Sequence, residues 1–130
     1  MKRHHILWAF VLGVFVLITY QPLLADDPAN DARAVFVAFV KAAKAKNTEE
    51  FTSYIAKEDL KEMEKEGFVD LMMAIMADET PDLYKAEATG NQVIFMKEIK
   101  ETSAEGSVTG SSTVYMVKED GRWKFGKPRN

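Results

Sequence analysis

Few side chains in this sequence can do chemistry, and their types exclude more than they permit. There is no cysteine, and both histidines, His4 and His5, lie at the N-terminal end. Past that end, a Ser-His or Cys-His nucleophilic centre, a histidine general base and the usual zinc ligand sets have no residues to draw on. Proton transfer would rest on carboxylates, Tyr, Lys or Arg. The groups that can point inward are Tyr54, Asp70, Tyr84, Glu98 and Tyr115. Asp70 stands beside an apolar helical stripe and is the acid best placed to lose solvent, so that with a Tyr it would form an acid-base pair. The same tyrosine positions also fit half-buried aromatics whose hydroxyls sit at the rim.

Methionines offer a second chemistry. Six of the seven follow the first residue, and Met72-Met73-x-x-Met76 places thioethers within a helical turn of one another. A soft set of this kind can hold Cu(I), but such sites usually add His or Cys. The plainer reading puts Met72 and Met76 on a core-facing stripe with Leu71 and Ile75, filling an irregular gap. No metal or cofactor is expected. Trp123 and Phe125 alternate on one strand and read as a cap on the core rather than an exposed binding hot spot. Lys118, Arg122, Lys124, Lys127 and Arg129 make the C-terminal end locally basic, which reads as a solvated face and only weakly as an anion site.

The N-terminal end decides where this chemistry operates. Met1, Lys2 and Arg3 precede an uncharged, mostly apolar run from Ile6 to Tyr20, and Leu23-Leu24-Ala25 follows. This is the layout of a secretory signal peptide over 1–25, cut after Ala25. An uncleaved anchor is the alternative, because Leu23 is larger than the preferred small residue. Either way the expected compartment is periplasmic or secreted, with no stable membrane anchor after cleavage. The remaining part, 26–130, is sized for a single domain. Two of the 17 Lys and Arg leave with the leader, so 15 face 20 Asp and Glu for a net charge of −5. That sign argues against nucleic acid or an anionic membrane surface as the partner.

The elements that must position these residues change period half-way. Asp27-Pro28 reads as a helix start, and Val35, Phe36, Phe39, Val40 and Ala43 then recur on one helical face, with Arg33 and the lysines mostly off it. Thr48-Glu49-Glu50 opens a short helix carrying Phe51, Tyr54 and Ile55. The charge-dense stretch Glu58 to Glu66 predicts a solvated helix touching the core through Leu60 and Met63, bounded by Gly67. Phe68 to Met76 predicts a core helix with Phe68, Leu71, Met72, Ile75 and Met76 on a wide inward face, ended by Pro81. Alternation then takes over: a strand from Tyr84, a Gly90-Asn91 turn, a strand Gln92 to Thr102, a loop Ser103 to Gly106, a third strand with Gly110 as a candidate bulge, an Asp120-Gly121 turn and a last strand Arg122 to Phe125.

Helices first and an antiparallel meander second predict an α+β fold, with N-terminal helices packed on a curved four-stranded antiparallel sheet. Several middle-strand positions are apolar on both faces: Val93 and Phe95 against Ile94 and Met96, Tyr115 and Val117 against Val114 and Met116. A second copy of the sheet would cover the outer face by an isologous contact, so a homodimer through that face is expected.

This order of elements, the Asn47-Thr48-Glu49-Glu50-Phe51 stretch and the ending Glu119-Asp120-Gly121-Arg122-Trp123-Lys124 resemble the NTF2-like (cystatin-like, SnoaL-like) superfamily, and within it small exported members of unknown function. The resemblance covers nearly all of 26–130. It implies a cone, a bent sheet around the first helix with a pocket between them, here lined by Phe39, Leu71, Met72, Ile75, Phe95 and Tyr115. The superfamily holds isomerases, dehydratases and members that only bind or dimerise, so fold alone does not choose function. The expected function is non-enzymatic binding of a protein partner, of itself or of a small apolar ligand. The alternative is a cofactor-free lyase or isomerase using Asp70 with a Tyr.

Overall fold

The structure, a computed structural model, describes residues 27–129; the leader expected over 1–25 lies outside them. Helix α1 (Pro28–Lys44) is opened by Asp27, whose carboxylate accepts the amides of Ala29 and Asn30, with Pro28 in the first turn where its missing donor costs nothing. Asn47 caps α2 (Thr48–Ser53) through the amide of Glu50. Helix α3 (Lys57–Glu66) ends on Gly67, whose left-handed φ of 72° lets the next amide, that of Phe68, turn back to the carbonyl of Met63. Helix α4 (Val69–Ala77) and a single 3-10 turn (Pro81–Leu83) lead into the sheet. None of these helices is long and apolar enough to cross a membrane.

Strands β1 (Lys85–Thr89), β2 (Gln92–Ser103), β3 (Gly106–Glu119) and β4 (Arg122–Phe125) form an antiparallel meander in chain order. The fold is therefore α+β, with helices followed by a four-stranded open sheet. Two-residue turns set the hairpins: Gly90-Asn91 joins β1 to β2, and Asp120-Gly121, both at positive φ, joins β3 to β4. The β2–β3 register runs without interruption from Gln92 opposite Val117 to Ser103 opposite Gly106. Gly110 is thus an ordinary ladder residue opposite Ile99, and the bulge expected there is absent.

The core lies between α1 and the inner face of the sheet. Phe36 is fully buried, its ring centroid 5.2 Å from those of Tyr84 and Phe95 and 5.4 Å from that of Phe125. Phe39 stacks between Phe51 at 4.2 Å and Phe125 at 3.9 Å. Val93, Phe95, Val114 and Met116 are the inward residues of the long strands, and Trp123 and Phe125 close the far side as expected. The link between α2 and α3 clasps β4: the Ala56 amide donates to the Phe125 carbonyl and the Phe125 amide to the Tyr54 carbonyl, both at 2.8 Å.

Helix α4 departs from expectation. Phe68, Leu71 and Ile75, assigned to its core face, are exposed, whereas Met73 is buried and Val69, Met72, Met76 and Ala77 pack against the core. The segment is apolar nearly all round, so its own sequence does not say which stripe turns inward. The choice falls to α1, against which it lies.

Candidate functional site

A groove of about 420 Å³ opens where the helices meet the free edge of β3. Phe39 of α1 and Phe125 of β4 form its floor, Met63 of α3, Phe68, and Met72 and Met76 of α4 form one wall, and Thr113 to Tyr115 form the other. It exists because β4 is short. The Gly126 amide donates to the Tyr115 carbonyl at 3.1 Å, and the chain then turns away towards α3, leaving the space beside Thr113 uncovered.

Of the six residues expected to line a pocket, the structure brings three together. Phe39 and Met72 face the groove, and Tyr115 borders it with its side chain turned, like that of its cross-strand partner Ile94, to the outer face. Phe95 is fully buried beneath Phe36 and Arg33, inside the core rather than at a cavity wall. Leu71 and Ile75 lie on the opposite side of α4, 56% and 48% exposed, because the helix is rotated so that Met73 enters the core. The rotation divides the three thioethers of Met72, Met73 and Met76. Met72 and Met76 face the groove, while Met73 sits among buried side chains and its sulfur accepts the Thr48 hydroxyl at 3.7 Å. No group of three or more His, Cys, Asp or Glu that could hold a metal occurs among the described residues.

The expected acid-base groups are scattered. Asp70 is exposed in the first turn of α4 and has no hydrogen bond to any Tyr among the described residues. Glu98 is exposed on the outer face. The Tyr54 hydroxyl donates to Glu50 at 3.1 Å, and its pKa is raised, first by burial and then by that carboxylate. Tyr84 is buried at the root of the long hairpin. Its hydroxyl donates to Glu79 at 2.7 Å and lies 3.0 Å from the Ser112 hydroxyl, and Lys97 sits over its ring and bonds Glu79 at 3.4 Å. Burial is the main force raising the Tyr84 pKa, with Glu79 adding to it and Ser112 and Lys97 opposing. These four groups satisfy one another and close the polar end of the core.

Three carboxylates of α3 border the groove: Glu62 and Glu66, both exposed, and the half-buried Asp59. Its Oδ1 accepts the Lys127 amide at 3.2 Å and lies 3.4 Å from the Arg129 guanidinium. Its Oδ2 is buried without a hydrogen-bond partner among the described residues, packed against Gly126. In the sequence Asp59 sits in a charge-dense solvated helix, and nothing there distinguishes it from its neighbours.

A second, broader depression of about 1070 Å³ occupies the outer face of the sheet around Leu83, Ile94 and Met96, rimmed by Lys85, Glu87 and Glu98. No protein-family model matches the chain, and no curated protein matches it.

Proposed function

We propose that the chain is an exported, non-enzymatic binding domain of NTF2-like type, working in the periplasm or outside the cell, whose groove takes a small apolar ligand or the apolar side chains of a protein partner. The observation that carries this reading is the lining of the groove, whose large apolar side chains include Phe39, Met63, Phe68, Met72, Met76 and Phe125, with Tyr115 at its border. A pocket of a few hundred Å³ with mostly apolar walls suits ligand capture, and flexible thioethers let such a wall adapt to more than one shape. Of its three carboxylates, Glu62 and Glu66 are exposed and Asp59 is held by the Lys127 amide and the Arg129 guanidinium, which supports binding over proton transfer. The outer face, with Ile94, Met96 and Tyr115 partly or largely exposed, is the second surface available to a partner.

The test is fluorescence titration with anilinonaphthalene sulfonate, an apolar probe. The chain should bind it saturably. Met72→Lys should weaken binding about tenfold, equivalent to ~1.4 kcal/mol, while Leu71→Lys, one residue away on the solvent side, should leave it unchanged. Equal loss in the two variants, or no saturable binding, would sink the groove as the site.

A further inference from the structure

The β2–β3 hairpin outruns its neighbours. Strand β1 pairs only with Gln92 to Met96 and β4 only with Met116 to Glu119, so the rest of the hairpin is a two-stranded arm. Every residue from Glu98 to Ser111 is exposed. A lone two-stranded ribbon is marginal in water, and both its edges present unpaired backbone groups that can template another strand.

The two edges are not alike. The β2 edge carries Lys97, Glu98, Lys100 and Glu101, and its root is occupied by Tyr84, over whose ring Lys97 lies. Charges of this kind are what keep an exposed edge from pairing. The β3 edge reads Ser107-Val108-Thr109-Gly110-Ser111-Ser112-Thr113, with neither a charge nor a proline, and no described residue pairs with it on that side.

We infer that this edge pairs with the same edge of a second copy of the chain, antiparallel and centred on Gly110, so that two sheets become one. The inference goes beyond the binding role and needs no ligand in the groove. In this register Thr109 stands opposite Ser111 of the second copy and Ser107 opposite Thr113, each twice, and Ser/Thr pairs are among those that stabilise facing strands. No like charges meet. Val108, at 71% the most exposed large apolar side chain among the described residues, falls opposite Ser112 on the inner face, one step from Val114 in the groove wall. The hairpin tip bearing Glu105 arrives at Gly126-Lys127 of the second copy, because the Gly126 amide is what ends the free edge. Lys127 is exposed and among the described residues its ammonium has one carboxylate near it, Glu62 at 3.9 Å, so Glu105 meets a cation there, again twice by symmetry. The contact closes on itself and leaves no second copy of that edge to propagate a filament. The outer face is a poorer seat for an identical copy, since two concave surfaces do not fill each other.

Single cysteines test this, because the chain has none of its own. A side chain at Gly110 meets open space on an ordinary backbone, and centring on Gly110 sets it beside its own symmetry mate, within disulfide reach. Under mild oxidation of the full 130-residue chain, G110C should form a covalent dimer on the order of a hundredfold faster than K100C on the other edge or M96C on the outer face, as expected when an encounter becomes a step within a complex. Adding E105K should slow the cross-link of G110C, and adding K127E to that variant should restore it. Faster cross-linking of K100C or M96C than of G110C, equal rates in all three, or indifference to E105K would overturn the pairing.

Discussion

Arg33 fastens the first helix to the start of the sheet, and its removal gives the most direct check on how the two layers are held. It lies half-buried on α1, where Nη2 donates to the Tyr84 carbonyl at 2.8 Å, Nη1 donates to the Pro81 carbonyl, and the guanidinium sits 5.1 Å from the centre of the Phe95 ring. Arg33→Met keeps the packed stem and deletes all three contacts. The Pro81 carbonyl retains the Tyr84 amide at 3.1 Å, so the loss there is partial. A hydrogen bond from a charged donor contributes about 1.5 kcal/mol or more, and the cation-π contact adds about 0.5 to 1 kcal/mol. After discounting for partial exposure, the expected cost is about 2 kcal/mol. For a domain of this size that is a fall in Tm of roughly 8 to 16 °C. Arg33→Lys keeps the charge but not the fork, since one ammonium cannot span two carbonyls as guanidinium does, and should cost about half as much. Urea unfolding with an unchanged m-value measures both variants. A loss below about 0.5 kcal/mol for Arg33→Met, the range of an ordinary surface change, would show that the layers are held by aromatic packing alone.

Two further outcomes follow from the same geometry. A Cβ at Gly126 would lie 2.6 Å from Asp59 Oδ2 and 2.8 Å from the Ala56 Cβ, so Gly126→Ala should cost about 1 to 3 kcal/mol as an overpacked site, and adding Asp59→Ala should recover only part of it because the Ala56 contact remains; full recovery in denaturant titration would contradict this. The Tyr84 pKa is raised, chiefly by burial, so the unfolded chain loses that proton first and stability, complete below the ordinary tyrosine value of about 10, declines as pH rises through it towards the folded value; Tyr84→Phe should make the alkaline decline in Tm shallower, and an unchanged slope would refute the assignment.

The fold was legible because local signals and burial agreed. Asp27-Pro28 and Gly67 each did at a helix end what their residue types permit, and Phe36, Phe39, Val40 and Ala43 turned inward as their spacing required. The period-2 pattern of Val93, Phe95, Val114 and Met116 put these residues on the inner face of the β2–β3 hairpin, and the Asp120-Gly121 turn joined β3 to β4 where expected. Arg33 was not legible. It reads as a polar residue off the apolar face, and only the return of the chain at Pro81 to Tyr84, some fifty residues later, gives its fork two carbonyls to hold.

The site was half legible, for a reason that lies in α4. In Val69-Asp70-Leu71-Met72-Met73-Ala74-Ile75-Met76-Ala77 a single Asp breaks an otherwise apolar run, so several rotations about the helix axis bury comparable apolar area and the helix carries little preference among them. Tertiary packing chooses, and it chooses the stripe through Met73. That choice sends Leu71, Ile75 and Asp70 outward together while turning Met72 and Met76 into the groove. A groove wall of methionines and a solvent face of Leu and Ile are therefore two consequences of one rotation. Replacing Met73 by a charged residue should move them together: if Met73→Lys leaves a folded protein, α4 must roll, Leu71 and Ile75 should gain protection from solvent, and the probe affinity of the groove should change in step.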